Sequence, residues 1–279
     1  MSIERSASRL RSYRVRPRDA LLVTGELGSV LADLELHTMS CGLAGSCGLA
    51  GAAGSETILA DGLTALAFHV AARPIDEFVA WTARLARPGV EVFLTSNGPE
   101  GSIVGRVFAW EDACDDDASE LVCQAKRPAR ALESSATRVD GDDFFRFVEA
   151  RYREVERRAA RFVVPSSSSK APLTAGERAF IAALPGGDSA WIEGLDDDEI
   201  FALPHDDDVE FVADRVLLFH CGCDRDKILR WLAARYGDTP EALFGRERTL
   251  RVPCPRCGAS YTVSPEDYER FRGPGASPR

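Results

Sequence analysis

The chain has 279 residues, of which 34 are basic and 44 acidic, so its formal net charge is −10. Its apolar fraction of 45% is that of a globular protein and excludes a chain that is disordered throughout. The acidity argues against duplex nucleic acid as the main partner, because phosphate binding requires a basic surface. No stretch is long and apolar enough to insert into a membrane.

The N-terminal stretch through Arg18 contains six arginines and one glutamate. This composition superficially resembles a mitochondrial transit peptide, but we interpret it as a chain end that runs into a first strand near residues 13–16. A second strand and a helix are predicted up to residue 36. Because the apolar segment of a secretory signal is lacking, we expect a cytoplasmic protein whose eight cysteines serve metal or redox chemistry before structural disulfides.

Residues 40–51 contain a tandem duplication of the hexapeptide SCGLAG. Two copies are too few for a solenoid, which needs about three repeats or more. Glycine at this density costs conformational entropy, so the pattern predicts a mobile loop. Cys41 and Cys47 lie in this loop, and we assign them no role.

Helices and strands are predicted in blocks after this loop. Residues 56–86 predict two helices separated at Pro74. The apolar face of the second helix comprises Phe78, Val79, Trp81 and Leu85. Three alternating stretches, VEVFLTS, SIVGRVFAW and ELVCQA, then predict an antiparallel sheet, with Cys114 and Cys123 as ordinary cysteines at its edge.

A long amphipathic helix is predicted next, capped by Asp142 or Asp143 and extending through Phe162. Its apolar stripe comprises Phe144, Phe147, Val148, Tyr152 and Val155. Blocks of helices and strands are typical of an α+β domain, which we expect to end near Val164. Pro165 and the four serines after it form a linker-like stretch.

The segment 166–219 carries most of the charge, since its 12 acidic and 3 basic residues give it a net −9. Acidic runs at residues 196–199 and 206–208 supply most of this charge. Apolar residues are interleaved with them, which is not typical of a fully solvated tail. They are Phe180, Ile181, Leu184, Trp191, Ile192, Ile200, Phe201 and Leu203. We therefore expect a marginally stable segment that docks on another part of the protein and can be released.

Two close pairs of cysteines near the C-terminus form the strongest motif. Cys221-Gly-Cys223 is followed, after 30 residues, by Cys254-Pro-Arg-Cys257. Four thiolates in two pairs suit tetrahedral Zn²⁺. Residues i and i+2 of an extended stretch project to the same side, so the first pair can bind one ion. The second pair lies on a predicted turn between two short strands, where Gly258 permits a tight backbone.

The residues around the cysteines predict a small module of about 60 residues whose folding depends on the metal. A helix is predicted to end at Gly237 and another to begin at Ser264-Pro265. Ile228, Leu229, Trp231 and Leu232 are predicted to face inward. His220 adjoins the first pair, but four cysteines already complete a ligand set. Spacing alone favours a permanently structural zinc site.

The cysteine spacing and its surroundings resemble the heat shock protein 33 family of redox-regulated holdase chaperones. HCGCDRDKILRWL and PCPRCGASYTVSPEDYE resemble the zinc domain of that family, and LPHDDDVEFVADRVLLF resembles the segment that leads into it. VEARYREVERRAARFVV occupies the place of the last helix of the chaperone core. The family usually has Ser-Glu-Gln in that helix, where this chain has Val155-Glu156-Arg157.

The resemblance implies three parts: a chaperone-like α+β core at 1–165, an acidic, helical, metastable linker at 166–219 and a zinc-binding redox-switch domain at 220–279. It implies that Zn²⁺ is bound by Cys221, Cys223, Cys254 and Cys257 in the reduced protein. Oxidation would then form the disulfides Cys221–Cys223 and Cys254–Cys257, release zinc and unfold the linker. The implied partners are unfolded client proteins and, in the oxidised state, a second copy of the chain.

Two alternatives to a stress-response chaperone remain. One is a non-switching interaction module with a permanently structural zinc site. The other is an enzyme with a zinc-ribbon appendage, whose chemistry would lie in residues 1–164. Since no Ser–His–Asp set, P-loop or Rossmann fingerprint occurs, and the chain has four histidines, we expect that the protein is not an enzyme.

Overall fold

The structure is a computed structural model that describes residues 7–40, 54–110, 118–164, 176–237 and 240–272. Cys41, Cys47, Cys114 and residues 41–51 of the duplicated hexapeptide lie outside the described residues, as does the stretch 165–175. Helices and strands follow one another in blocks around a mixed sheet, so the α+β class is confirmed. None of the described helices is long and apolar enough to cross a bilayer.

The bounds of the elements are as follows. The strands are β1 (Ser8–Val15), β2 (Ala20–Gly25), β3 (Phe78–Leu85), β4 (Val90–Asn97), β5 (Ser102–Ala109), β6 (Ser119–Lys126), β7 (Glu133–Val139), β8 (Ala160–Val163), β9 (Arg178–Ala183), β10 (Val209–Phe219), β11 (Leu250–Pro253) and β12 (Ser260–Val263). The helices are α1 (Gly28–Ser40), α2 (Ser55–Ala71), α3 (Phe144–Glu154), α4 (Ser189–Gly194), α5 (Asp197–Ala202), α6 (Arg225–Tyr236), α7 (Pro240–Phe244) and α8 (Pro265–Arg272).

Ten strands of the described chain form one sheet in the order β7-β6-β3-β4-β5-β10-β1-β2-β9-β8. Strand β10 lies in the middle and joins its two halves. It pairs antiparallel with β1 along most of its length. With β5 it pairs in parallel only through Leu218 opposite Ser102 and Phe219 opposite Ile103. The last strand of the acidic segment is therefore a central strand of the sheet, held weakly on one side.

The half of the sheet that contains β2 and β9 is covered on both faces. Neighbouring residues of a strand point to opposite faces. Val23 and Phe180 belong to the main core, where α2 and α3 pack. Leu22 and Ile181 belong to a second cluster, which α4 and α5 of the acidic segment cover with Ile192, Ile200 and Phe201. The apolar residues of α4 and α5 thus dock on the sheet, whereas Phe180 and Ile181 of the same acidic segment are part of the sheet through β9.

The predicted strand pair and helix at the N-terminus are confirmed as β1, β2 and α1. The predicted helix over residues 75–86 is wrong, because residues 78–85 form strand β3. Val79, Trp81, Ala83 and Leu85 are buried at every second position, whereas Phe78 is exposed. Pairing with β4 on one side and β6 on the other outweighs local helical preference.

The amphipathic helix after Asp143 is confirmed, but its predicted extension through Phe162 is wrong. Asp143 accepts hydrogen bonds from the amides of Phe145 and Arg146, as an N-cap does. The helix ends at Glu154, and Arg157 has a left-handed φ of 56°. This turn places Glu156 between Arg151 and Arg158, both of which donate hydrogen bonds to its carboxylate.

The segment 166–219 contains two strands of the sheet, β9 and β10, in addition to its helices. Its acidic run at 196–199 has a local structural role that composition did not indicate. Asp196 and Glu199 form a capping box at the start of α5, and acidic side chains there interact favourably with the helix dipole.

Candidate metal centre

Four cysteines meet at one point although they come from two distant parts of the chain. The sulfur atoms of Cys221, Cys223, Cys254 and Cys257 all lie within 4.8 Å of one another. Cys221 Sγ is 3.7 Å from Cys254 Sγ, and Cys223 Sγ is 3.5 Å from Cys257 Sγ. Four sulfur ligands at about 2.3 Å from a zinc ion would be about 3.8 Å apart, so the spacing and the ligand chemistry fit zinc.

The first cysteine pair directly follows β10. Gly222, between the two cysteines, has a φ of 65°, in the left-handed region that favours glycine. A Cβ at this position would meet the ring of His220 at 3.3 Å. Asp224 then caps α6 by accepting a hydrogen bond from the amide of Lys227. The sharp turn between strand and helix directs both sulfur atoms to one side.

The second pair lies in the turn between β11 and β12. The Cys254 amide donates to the Ala259 carbonyl, and the Gly258 amide donates to the Cys254 carbonyl. Gly258 has a φ of 78°, as the predicted tight turn requires. Both cysteines of this pair are buried, whereas Cys221 and Cys223 are half-buried. The backbone of the hairpin therefore holds the inner half of the site.

The four thiols perturb one another's ionisation. The pKa of Cys223 is lowered to about 7, first by its hydrogen bond with Cys221. The pKa of Cys254 is held below its ordinary value, again first by a hydrogen bond with Cys221. The pKa of Cys221 is raised, first by its hydrogen bond with Cys223, and the pKa of Cys257 is raised, first by its hydrogen bond with Cys221. Because thiolates this close repel one another, full ionisation of the set requires a cation.

The module around the cysteines has a small core of its own. Ile228, Leu229 and Leu232 of α6 are buried as predicted, but the prediction for Trp231 is wrong because 53% of it is exposed. The buried Tyr268 of α8 donates a hydrogen bond from its hydroxyl to the Gly237 carbonyl, at the end of α6. Ser264 caps α8, which begins at Pro265 as predicted.

His220 and Cys123 are not part of the four-cysteine cluster. His220 is not among the ligand-forming residues that meet at the site, and its Nδ1 accepts a hydrogen bond from the Gly222 amide. Cys123 is a buried free thiol in β6, opposite Trp81 of β3. Burial raises its pKa. It is an ordinary cysteine of the sheet, as predicted, but its predicted position at the sheet edge is wrong, because β6 lies between β3 and β7.

Arginines near the N-terminus are functional candidates that the sequence did not reveal. They form ion pairs with carboxylates of the acidic segment, and an arginine of β8 adds another. The pairs are Arg9 with Asp214 (2.9 Å), Arg16 with Glu210 (2.6 Å), Arg18 with Asp188 (2.9 Å) and Arg161 with Asp197 (2.8 Å). The opposite charges of the N-terminal stretch and the acidic segment were visible in the sequence, but the pairing of β1 with β10 brings Arg9 and Arg16 beside Asp214 and Glu210.

The chain matches a model of a known protein family and solved structures of similar fold. The family model described as Hsp33 protein matches residues 167–264. The fold is similar to that of the 33 kDa chaperonin of Thermotoga maritima, a heat shock protein 33 homologue, with a TM-score of 0.66 and 12% sequence identity over 95% of this chain and 97% of that chain. A search of curated protein sequences found no match. The chain is thus similar to the Hsp33 family in sequence over residues 167–264 and in fold over nearly its whole length.

Proposed function

We propose that the protein is a redox-regulated holdase chaperone, which binds unfolded proteins after a four-cysteine zinc site has been oxidised. The observation that carries this proposal is the position of β10. This strand is the end of the acidic segment, a central strand of the sheet and the lead-in to Cys221 and Cys223. A change at the cysteines therefore acts directly on the element that anchors the acidic segment.

In the reduced state, Cys221, Cys223, Cys254 and Cys257 hold the proposed zinc ion. The bound ion would keep the four sulfurs as thiolates and would supply much of the folding energy of the module. We place the protein in the cytoplasm, where thiols are kept reduced. The chain acts in this scheme as a binding protein and not as an enzyme.

Oxidation by peroxide would convert the four thiols into the disulfides Cys221–Cys223 and Cys254–Cys257. Each disulfide forms as two thiolates give two electrons to one peroxide molecule, which takes up two protons from the solvent and becomes two water molecules. In the structure, the shortest sulfur–sulfur distances join a cysteine of one pair to a cysteine of the other, 33 and 34 positions apart in the chain. Once the module loosens, the cysteines two or three residues apart meet more often, because closing a short loop costs less entropy. Neither disulfide leaves a thiolate to hold a cation.

Loss of the module would free the end of β10, which pairs with β5 through only two residue pairs. The net −9 of residues 166–219 then favours expansion of the acidic segment, because its carboxylates repel one another. The ion pairs with arginines oppose this only weakly, since exposed pairs contribute roughly 0–1 kcal/mol each. The segment is therefore held chiefly by its apolar contacts and by the pairing of β9 and β10 in the sheet.

Release of the segment would uncover apolar surface for unfolded clients. Ile192, Ile200 and Phe201 would leave the second cluster, and Ala20 and Leu22 of β2 would lose their cover. Strands β1 and β2 would also lose the partners β10 and β9, and unpaired strand edges favour association with another chain. This supports both client binding and a homodimer in the oxidised state. Functionally, we divide the chain into a core at 1–165, a releasable segment at 166–219 and a zinc module at 220–279.

The test begins with reduced, zinc-loaded protein. It is treated with hydrogen peroxide, and zinc release is followed together with the aggregation of a chemically unfolded client. We expect about one zinc ion per chain to be released, and suppression of aggregation to begin only after oxidation. Retained zinc, or suppression that is independent of redox state, would contradict the switch and favour a permanently structural zinc site. A thiol–disulfide map that pairs Cys221 with Cys254 would contradict the proposed disulfides.

A further inference from the structure

Two core side chains hold the main chain of the inner cysteine pair. Arg106 of β5 donates a hydrogen bond from Nη1 to the Cys254 carbonyl, at 3.0 Å. His37 of α1 places its Nε2 at 2.9 Å from the Cys257 carbonyl, and the ring nitrogen is the donor because a carbonyl only accepts. Each of these peptide groups is therefore linked directly to a different element of the core.

Arg256, between the two inner cysteines, makes a third link. Its guanidinium donates from Nη1 to the Cys221 carbonyl, at 3.2 Å, and from Nη2 to Oγ1 of Thr95 on β4, at 2.9 Å. One side chain thus joins the two cysteine pairs to each other and to the sheet. Since a guanidinium stays charged at any physiological pH, this link does not depend on protonation.

The hydrogen bonds of Arg106 and Arg256 end on cysteine carbonyls, and these carbonyls must move when the sulfur atoms form disulfides. A disulfide requires a sulfur–sulfur distance of about 2.0 Å and restricted torsion angles. The closest sulfurs now are 3.5 Å apart, so forming a disulfide reorients the neighbouring peptide groups. Carbonyls that turn away lose their hydrogen bonds to the core. The side-chain contacts of Arg106 and Arg256 to the cysteine carbonyls would therefore break when the cysteines are oxidised.

The placement of Arg106 makes its contact effective. Its guanidinium lies 4.5 Å from the ring centre of Phe108, on the same strand, and this cation–π contact limits its movement. Strand β5 is also the strand to which β10 is joined by two residue pairs. Undocking of the cysteine module from β5 therefore acts beside the weakest junction of the sheet.

We propose that Arg106 and Arg256 are positioning residues that couple the state of the four cysteines to the docking of the acidic segment. The inference rests on the proposed function and specifies how its switch reaches the core. Coupling between two binding equilibria is reciprocal. Docking of the acidic segment therefore raises zinc affinity by the same factor by which bound zinc favours docking of the segment. Weakening either arginine contact should therefore loosen the acidic segment and lower zinc affinity together.

The experiment uses the full chain with two variants, Thr95→Val and Arg106→Met. Thr95→Val removes the hydroxyl that anchors Arg256 and keeps a β-branched side chain in the strand. Thr137→Val on β7 and Arg84→Met on β3 are the matched controls, since the buried Thr137 lies opposite Leu121 at the β7 end of the sheet and Arg84 is paired with Glu91 on the surface. Protease cleavage within residues 176–219 and zinc affinity against a competing chelator are measured before and after peroxide treatment.

In the reduced, zinc-loaded state, we expect each variant to raise the cleavage rate about tenfold, as the loss of a charged hydrogen bond implies. Zinc affinity should fall by a similar factor. After oxidation, variants and wild type should be cleaved at the same rate, because the contacts are already broken. Arg106→Lys, which keeps a charged donor, should restore most of the wild-type behaviour. Thr95→Val combined with Arg256→Met should be no worse than Arg256→Met alone.

Equal cleavage of the variants and their controls in the reduced state would overturn this inference, as would a variant that raises cleavage equally before and after oxidation, since that is general destabilisation. A wild-type chain whose cleavage does not change on oxidation would overturn the proposed function itself. A wild type that responds, with variants that match their controls, would overturn the coupling alone.

Discussion

The sulfur atoms of Cys221 and Cys254 lie 3.7 Å apart although the two residues are 33 positions apart in the chain. Their contact requires the end of β10 and the hairpin β11–β12 to be in place together. A ligand bound at the four sulfurs therefore stabilises both elements, because binding to the folded state alone adds to its stability.

Cys221→Ser should weaken zinc binding and loosen the acidic segment even in reduced protein. Loss of a residue that only hydrogen-bonds to a metal ligand lowers metal affinity roughly 10–100-fold, so we expect loss of a ligand itself to lower zinc affinity at least as much. Zinc affinity is measured by chelator competition, and docking by protease cleavage within residues 176–219. Cys123→Ala is the control, because this thiol lies in β6, outside the cluster. Unchanged protease resistance in Cys221→Ser would contradict the coupling of the site to the segment.

Gly222→Ala should lower zinc affinity about tenfold. The position requires a φ of 65°, and the added Cβ would meet His220 at 3.3 Å; a left-handed conformation costs other residues roughly 1–2 kcal/mol. Gly194→Ala is the matched control, since a Cβ there meets nothing within 4 Å. Affinity equal to that of the control would show that the turn is not held in this conformation when zinc binds.

Ile200→Ala should make the reduced protein behave partly like the oxidised one. Ile200 is fully buried in the second cluster, and such truncations cost about 2–5 kcal/mol. The acidic segment then becomes accessible without oxidation. Suppression of client aggregation by the reduced variant is the measurement. Ile75→Ala, at a position that is 63% exposed, should leave the reduced protein inactive. If the reduced Ile200→Ala protein does not suppress client aggregation, release of the acidic segment is not what allows clients to bind.

Replacing Arg9, Arg16 and Arg18 together by glutamine should loosen the acidic segment slightly. Each removes one exposed ion pair to that segment, worth about 0.2–1 kcal/mol. Hydrogen exchange of the amides in α4 and β10 should become several-fold faster, and less so at high salt, which already screens the pairs. Arg84→Gln removes a comparable surface pair with Glu91 elsewhere and serves as the control. Exchange no faster than in the control would exclude a role for these arginines in docking.

Glu156→Gln should destabilise the protein at neutral pH and flatten its acid dependence. Burial alone would raise the pKa of Glu156, but hydrogen bonds from Arg158 and Arg151 outweigh it and lower the pKa below its usual 4.5. A depressed pKa contributes stability above pH 4.5 that is lost as the pH falls through the lower folded-state value. The free energy of unfolding, measured against pH, should therefore converge for variant and wild type in acid. Glu154→Gln, at an exposed position, is the control, and parallel curves for Glu156→Gln and wild type would contradict the assignment.

Local patterns predicted the elements whose partners are near in sequence. The cap at Asp143, the turn at Gly258 and the helix that ends at Gly237 are confirmed. Residues 78–85 were mistaken for a helix because Val79, Trp81 and Leu85 fit a helical face as well as an alternating one. Their pairing with β4 and β6 decides between the two, and β6 lies about 40 residues away in sequence.

The sequence by itself determined the chemistry of the site, because four cysteines in two short motifs suit one kind of ion wherever the chain places them. It also determined the acidity of the segment 166–219. Only the tertiary structure decided which residues contact these carboxylates. Strand β10 pairs with β1 and brings Asp214 and Glu210 to Arg9 and Arg16. Likewise, only the docking of the turn at Cys254 on β5 linked the cysteines to the core through Arg106. Such contacts join residues that are up to about 200 positions apart, and no local spacing encodes them.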